Sequence, residues 1–158
     1  MNFKLNMKKI SIILLFFLLY LNAYSEARKP IEILADNMEW NKQLGQAIAT
    51  GNAKAIQGET TIKANKIIAV LSEDNNQQIK ELQGIGKVVF LKDKQLATGD
   101  KATYYLNQEK VIITGNVELK RDGNIIKGEK LIIDFLTGLS KMESSNTDQK
   151  VKMKYITE

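Results

Sequence analysis

Val111-Ile112-Ile113-Thr114-Gly115-Asn116-Val117-Glu118-Leu119-Lys120 is the stretch that decides the fold. Its first half is rich in β-branched residues. From Val117 apolar and charged positions alternate, the pattern of a strand with one buried and one wet face. A Gly-Asn pair stands in the middle. Glycine weakens a regular strand, so in a strand-like context it marks a bulge, a bend or a close backbone approach. The same construction occurs 64 residues earlier, as Ala47-Ile48-Ala49-Thr50-Gly51-Asn52-Ala53-Lys54-Ala55-Ile56.

The repeat extends beyond these ten residues. At the same offset Asp36 aligns with Asp100, Trp40 with Tyr104, and Asn65-Lys66-Ile67-Ile68 with Glu129-Lys130-Leu131-Ile132. A finer period lies inside it. A small residue, a polar residue and a basic or polar residue recur as Ala35-Asp36-Asn37, Ala64-Asn65-Lys66, Gly99-Asp100-Lys101 and Gly128-Glu129-Lys130. Ile31 to Ala35, just after the only proline, Pro30, begins as another alternating strand. Gly45, Asn75-Asn76, Asp122-Gly123-Asn124 and Gly138 punctuate the chain with residues that tolerate positive φ and suit tight hairpins. After Met142 the chain turns polar, which reads either as a loop before a last short strand over Val151 to Ile156 or as a mobile tail. No helical period stands out beyond the apolar start. Each unit is therefore expected to supply two or more short strands. Stacked units give an all-β, elongated architecture whose core runs along its length and whose two ends are bare strand edges.

Alternation assigns faces. Glu118 and Lys120 cannot be buried without a large cost, so Val117 and Leu119 face inward, and by parity Val111 and Ile113 do too. The repeat then turns Ala47, Ala49, Ala53 and Ala55 inward. Trp40, Tyr104, Leu106, Ile31, Ile33, Val88 and Phe90 are assigned to the same interior. Four alanines thus stand where Val, Ile, Val and Leu stand later. Either large neighbours such as Trp40 close the space, as dense packing requires, or the interior is under-filled and admits an acyl chain, each buried CH₂ contributing about 0.8 kcal/mol. Asp36, Asp100 and Glu129 repeat too regularly for a catalytic set. They read as corner residues that hydrogen-bond to local backbone. Lys66, Lys101 and Lys130 read as a solvated face, with phosphate contact at a groove mouth as the minor alternative.

Composition limits the chemistry. The chain has no histidine and no cysteine, which removes Ser–His and Cys–His nucleophile pairs and histidine-containing zinc sites. The expectation is a protein that is not an enzyme, with no catalytic residue, no metal and no cofactor. Lys4, Lys8 and Lys9 precede an uncharged run, Ile10 to Leu21, and then Ala23-Tyr24-Ser25, the order of a secretory signal peptide. The run spans roughly 18 Å as a helix, short of the roughly 30 Å hydrocarbon core, which argues against a retained anchor. Residues 1–25 are expected to be the signal and 26–158 one β-domain, with cleavage after Ser25 or after Ala27. The signal takes three of the five surplus positive charges with it, and the remaining charges are interspersed, so nucleic acid is not an expected partner.

Pro30-Ile31-Glu32-Ile33, Ala35-Asp36, the two Thr-Gly-Asn segments, Ile62-Lys63-Ala64-Asn65-Lys66-Ile67, Gly84-Ile85-Gly86-Lys87 with Phe90, and Ile126-Lys127-Gly128-Glu129-Lys130-Leu131 together resemble the OstA-like family of lipopolysaccharide-transport proteins. The resemblance covers about residues 30 to 142. It implies an elongated, twisted β-jellyroll of antiparallel strands with an open hydrophobic groove. It implies a periplasmic protein that binds lipopolysaccharide by its lipid A acyl chains and bridges inner and outer membranes in outer-membrane assembly. The implied partners are an LptC-like inner-membrane protein, an LptD-like outer-membrane protein and further copies of the chain joined end to end. The implied lipid-binding residues are Ile31 and Ile33, Phe90, and Tyr104 with Leu106; Trp40 joins them by repeat equivalence. Ser72 to Gln78 and the short carboxyl-terminal tail depart from the family pattern. Two other readings compete: a membrane-anchored LptC-like relay that keeps residues 10–21, and a structural β-repeat envelope protein that binds no lipid.

Overall fold

The computed structural model describes residues 29–73, 78–144 and 150–155. The expected signal segment, the Asn75-Asn76 turn and the final residues of the tail lie outside them. Among the described residues there are ten strands: β1 (Glu32–Leu34), β2 (Asn37–Asn41), β3 (Gln46–Gln57), β4 (Thr60–Leu71), β5 (Ile79–Lys92), β6 (Gln95–Tyr105), β7 (Lys110–Arg121), β8 (Asn124–Asp134), β9 (Leu139–Glu143) and β10 (Lys152–Lys154). A single 3₁₀ turn, Leu106–Gln108, joins β6 to β7. All pairings are antiparallel, and β3 to β8 follow one another in a meander.

The sequence suggested two or more short strands in each unit, with a bulge, bend or close approach at the glycine. The strands are instead long: β3 to β8 are 11 to 14 residues each, and all but β4, which has no glycine, run through their glycines. Each long strand shifts register near its middle, as at Thr50/Ala53, Ile85/Val88 and Thr114/Val117. At these bulges two successive residues take the left-handed conformation: Gly51 and Asn52 (φ 79° and 48°), Gly86 and Lys87 (76° and 49°), Gly115 and Asn116 (79° and 48°). Such a pair sharply bends a strand. β3, β5 and β7 bend there, and β4, β6 and β8 pair with them along both halves, so the two halves of every long strand belong to two different layers. The first layer comprises β1, the outer halves beside the Gly58, Asp93 and Gly123 hairpins, and β10. The second comprises β2, the other halves and β9. Eight strand positions at about 4.8 Å make the stack roughly 34 Å long, against about 17 Å for a five-residue half-strand.

The corner is built identically in both repeats. Asn52 Nδ2 donates to Asp36 Oδ2 at 3.0 Å, and Asn116 Nδ2 donates to Asp100 Oδ2 at 3.0 Å. A Cβ added at Gly51 or Gly115 would lie 2.3 Å from the aspartate oxygen. The aspartate thus occupies the space that the glycine vacates. Its partner is a side chain sixteen residues on, together with one backbone link, Asp36 N–H to Gly51 O at 2.9 Å. The expectation of purely local backbone bonding was too narrow.

One core fills the space between the layers. Val111, Ile113, Val117 and Leu119 are buried, as are Ala49, Ala53 and Ala55, with Ala47 packed against them. The alternation therefore placed these faces correctly. Full burial of one Ile or Leu side chain contributes roughly 1.5–3 kcal/mol. Of the four inward alanines, Ala49, Ala53 and Ala55 are nearly inaccessible to solvent.

Candidate functional site

The interior residues expected to meet a ligand divide into three groups. Phe90, on the first-layer half of β5, is fully buried. Its ring lies 5.9 Å from that of Tyr104, on the second-layer half of β6, and 5.9 Å from that of Phe135, just after β8. Leu106 is buried beside them at the start of the 3₁₀ turn. The structure thus brings Phe90, Tyr104 and Leu106 together across the two layers.

Ile31 and Ile33 form the second group. They are half-buried and pack against the core from the β1 edge, where Ile33 stands opposite Ala55.

Trp40 forms the third; its inward face is as expected, but the expectation that it fills the space beside the alanines is corrected. Trp40 is 58% exposed, whereas its repeat equivalent Tyr104 is 3% exposed. Parity is not the cause. Trp40 pairs with Ala47 and Met38 with Ala49, and directly opposed residues share a face. Trp40 therefore lies on the inner side of the sheet, but β2 is an edge strand and no further strand covers it. Tyr104 has β5 and β7 on either side and Phe90 in front.

Phe135 was missed by the sequence reading. Leu131, Ile133 and Phe135 continue one alternating face, which was the available signal, but Phe135 falls in a turn and its contact with Phe90 is non-local.

A cavity of about 340 Å³ opens at this end between the layers. Tyr104 and Leu106 form its apolar floor, and Lys29, Glu59, Lys92, Asp93 and Glu109 stand on its rim. A second of about 490 Å³ includes Trp40, Leu44 and Val70 with Lys42 and Lys80. A third of about 570 Å³ lies beside the β7–β8 corner, with Glu118, Lys127 and Lys152 among its walls.

The ion pairs sit mostly on outer faces. Lys127 Nζ lies 2.7 Å from Glu118 Oε2 and Lys120 Nζ 3.1 Å from Glu118 Oε1; these hydrogen bonds, Lys127's first, hold the Glu118 carboxyl below its ordinary pKa. Glu143 is lowered in the same way, chiefly by Lys141. Asp134 is lowered chiefly by the Thr137 backbone N–H, which donates to it at 3.0 Å. These groups stabilise strands; none addresses the interior. Among the described residues no three acidic side chains are placed to hold a metal ion.

Nearly all exposed large apolar side chains gather at the two ends of the sheet. Leu34, Met38, Trp40 and Leu44 stand at the β1/β2 edge, and Leu136, Leu139, Val151, Met153 and Tyr155 at the β9/β10 edge. Each end also presents backbone groups that no strand pairs.

Together these features define a folded-over antiparallel β-protein, open at both edges, with an apolar interior between its layers. The chain belongs to a particular family of that architecture: the model described as "LptA/(LptD N-terminal domain) LPS transport protein" matches residues 32–139. It is 27% identical over 117 residues to the lipopolysaccharide export system protein LptH of Pseudomonas aeruginosa, covering 70% of this chain and 66% of that protein. It is 28% identical over 156 residues to LptA of Escherichia coli K12, covering 91% and 82%. Against the crystal structure of Pseudomonas aeruginosa LptH, described as the LptA homologous periplasmic component of a lipopolysaccharide transport device, the TM-score is 0.73 at 18% identity, over 82% of this chain and 96% of the other. That likeness confirms the fold.

Proposed function

We propose that this protein is a periplasmic carrier of lipopolysaccharide, performing no covalent chemistry and passing the lipid between an LptC-like inner-membrane protein and an LptD-like outer-membrane protein. The observation that carries the reading is the family match, which takes in nearly all of the two-layer sheet, from β1 to the start of β9. In this reading residues 1–25 direct export and residues 26–158 are the working domain. The acyl chains lie between the layers against Ile31, Ile33, Phe90, Tyr104 and Leu106, with Trp40 meeting them at the open edge. Sugars and phosphates stay in water. A passive interior gives no direction to the flow, so the driving energy comes from elsewhere.

The two edges supply the joints. The β1/β2 edge carries Glu32, Asp36 and Glu39 against Lys29 and Lys42, a net acidic balance, and the β9/β10 edge carries Lys141, Lys150, Lys152 and Lys154 against Glu143, a net basic one. Opposite charge beside unpaired backbone suits end-to-end strand addition, between copies or with related domains.

Native mass spectrometry of residues 26–158, titrated with lipopolysaccharide and with a phospholipid control, tests the reading. Saturable binding of lipopolysaccharide and weak binding of phospholipid are expected. Ile33→Asp should weaken that binding while the strand signature in circular dichroism persists, because Ile33 is only half-buried and a charge there is desolvated chiefly by the lipid. Phe90 is too buried for that substitution and is better tested by photocrosslinking to bound lipid. The burial of Ala49, Ala53, Ala55 and Phe90 favours a second reading, a structural β-repeat protein. A folded chain that binds no lipid would establish that one instead.

A further inference from the structure

The mouth above Tyr104 and Leu106 is held by contacts that the carrier reading does not use. Lys92, at the end of β5, belongs to the first layer. Its Nζ lies 4.4 Å from the centroid of the Phe135 ring and 3.9 Å from Glu109 Oε2. Phe135 and Glu109 both belong to the second layer and are tied to each other, the Phe135 N–H donating to Glu109 O at 3.0 Å. Glu109 itself ends the 3₁₀ turn in a left-handed conformation, φ 45°. One cation from one layer therefore grips an aromatic face and a carboxylate of the other. Beneath it Phe90 stacks on Phe135 and tilts against Tyr104. Lys92, Tyr104, Leu106 and Glu109 all line the same cavity.

We propose that Lys92, Glu109 and Phe135 form a clasp that holds the two layers together over this mouth, and that its release admits acyl chains to Tyr104 and Leu106. The proposal rests on the carrier reading for the nature of the ligand. The clasp is suited to release. Glu109 is about half exposed, and an exposed ion pair at this distance is weak and screened by salt. A cation over an aromatic ring adds modestly to it. The rings of Phe90, Tyr104 and Phe135 form the seal behind the charges, and an acyl chain entering there exchanges one apolar contact for another.

The chain has no cysteine, so Leu106→Cys introduces a single thiol at the floor of the mouth. Its reaction with a soluble maleimide reports how often the mouth opens, with no lipid present. In that background Lys92→Glu places like charges together and should speed labelling about fivefold, the scale of an exposed ion pair made repulsive. Lys92→Glu with Glu109→Lys restores the attraction and should bring labelling back to within about twofold of the parent. Added salt should speed labelling of the parent and slow that of Lys92→Glu. The association rate for lipopolysaccharide, measured on the same variants with Leu106 retained, should follow the same order. Equal labelling in all three chains, with circular dichroism unchanged, overturns the clasp. So does faster labelling that the charge swap does not reverse. Labelling that follows the charges while no variant binds lipopolysaccharide upholds the clasp and overturns the carrier reading.

Discussion

The two halves of the repeat share their corners and differ in their walls. Asp36 with Asn52 and Asp100 with Asn116 superpose in chemistry and in distance. On the inner face, β3 presents Ala47, Ala49, Ala53 and Ala55 where β7 presents Val111, Ile113, Val117 and Leu119. The corner is fixed because every long strand must bend into two layers, and β3, β5 and β7 each make that bend with a left-handed pair, Gly51-Asn52, Gly86-Lys87 and Gly115-Asn116. The wall is free to vary because it answers to whatever lies across the interior. The alanine half exposes less apolar surface if the layers separate, which makes it the cheaper half to open.

Three measurements break or sharpen this contrast. Tyr104→Ala should cost about 4 kcal/mol, because it removes a buried ring packed on Phe90, whereas Trp40→Ala should cost under about 0.5 kcal/mol. Guanidinium denaturation followed by tryptophan-independent circular dichroism reads both. A Trp40 cost near that of Tyr104 would mean that in solution the edge is covered after all, and the contrast between edge and interior would fall. A smaller effect separates the walls. Ile113→Ala should cost about 3 kcal/mol and the reverse change in the other half, Ala49→Ile, about 2 kcal/mol by overpacking. A neutral or stabilising Ala49→Ile would reveal spare room behind the alanines. The smallest expected difference concerns the corners. Gly115→Ala and Gly51→Ala each force a left-handed alanine onto an aspartate and should cost about 2 kcal/mol, equal within about 0.5 kcal/mol. Unequal costs would show that the corners are alike in geometry only.

Much of this molecule is legible in one dimension. The 64-residue repeat, the Gly-Asn bends and the alternation across them predict an all-β stack with bare ends, and they assign Val117, Leu119, Val88 and Phe90 to the interior where the structure has them. The same signals left the joins obscure. A glycine inside a strand reads equally as a bulge, a bend or a close approach, and only the register on both sides shows that β3, β5, β6, β7 and β8 pass through it as long strands.

The sequence by itself determined the face of each side chain, because alternation is a local property of an extended backbone. It determined the corners too, because two successive left-handed residues need glycine and a tolerant neighbour. Only the tertiary structure decided which inner faces are covered. Trp40 and Tyr104 occupy the same place in the repeat and the same side of the sheet, and one is wet and the other dry. Coverage depends on the number of strands that flank a position and on rings brought from the opposite layer. Phe90, Phe135 and Lys92 reach Tyr104 or one another from distant parts of the chain, and no local pattern encodes that meeting.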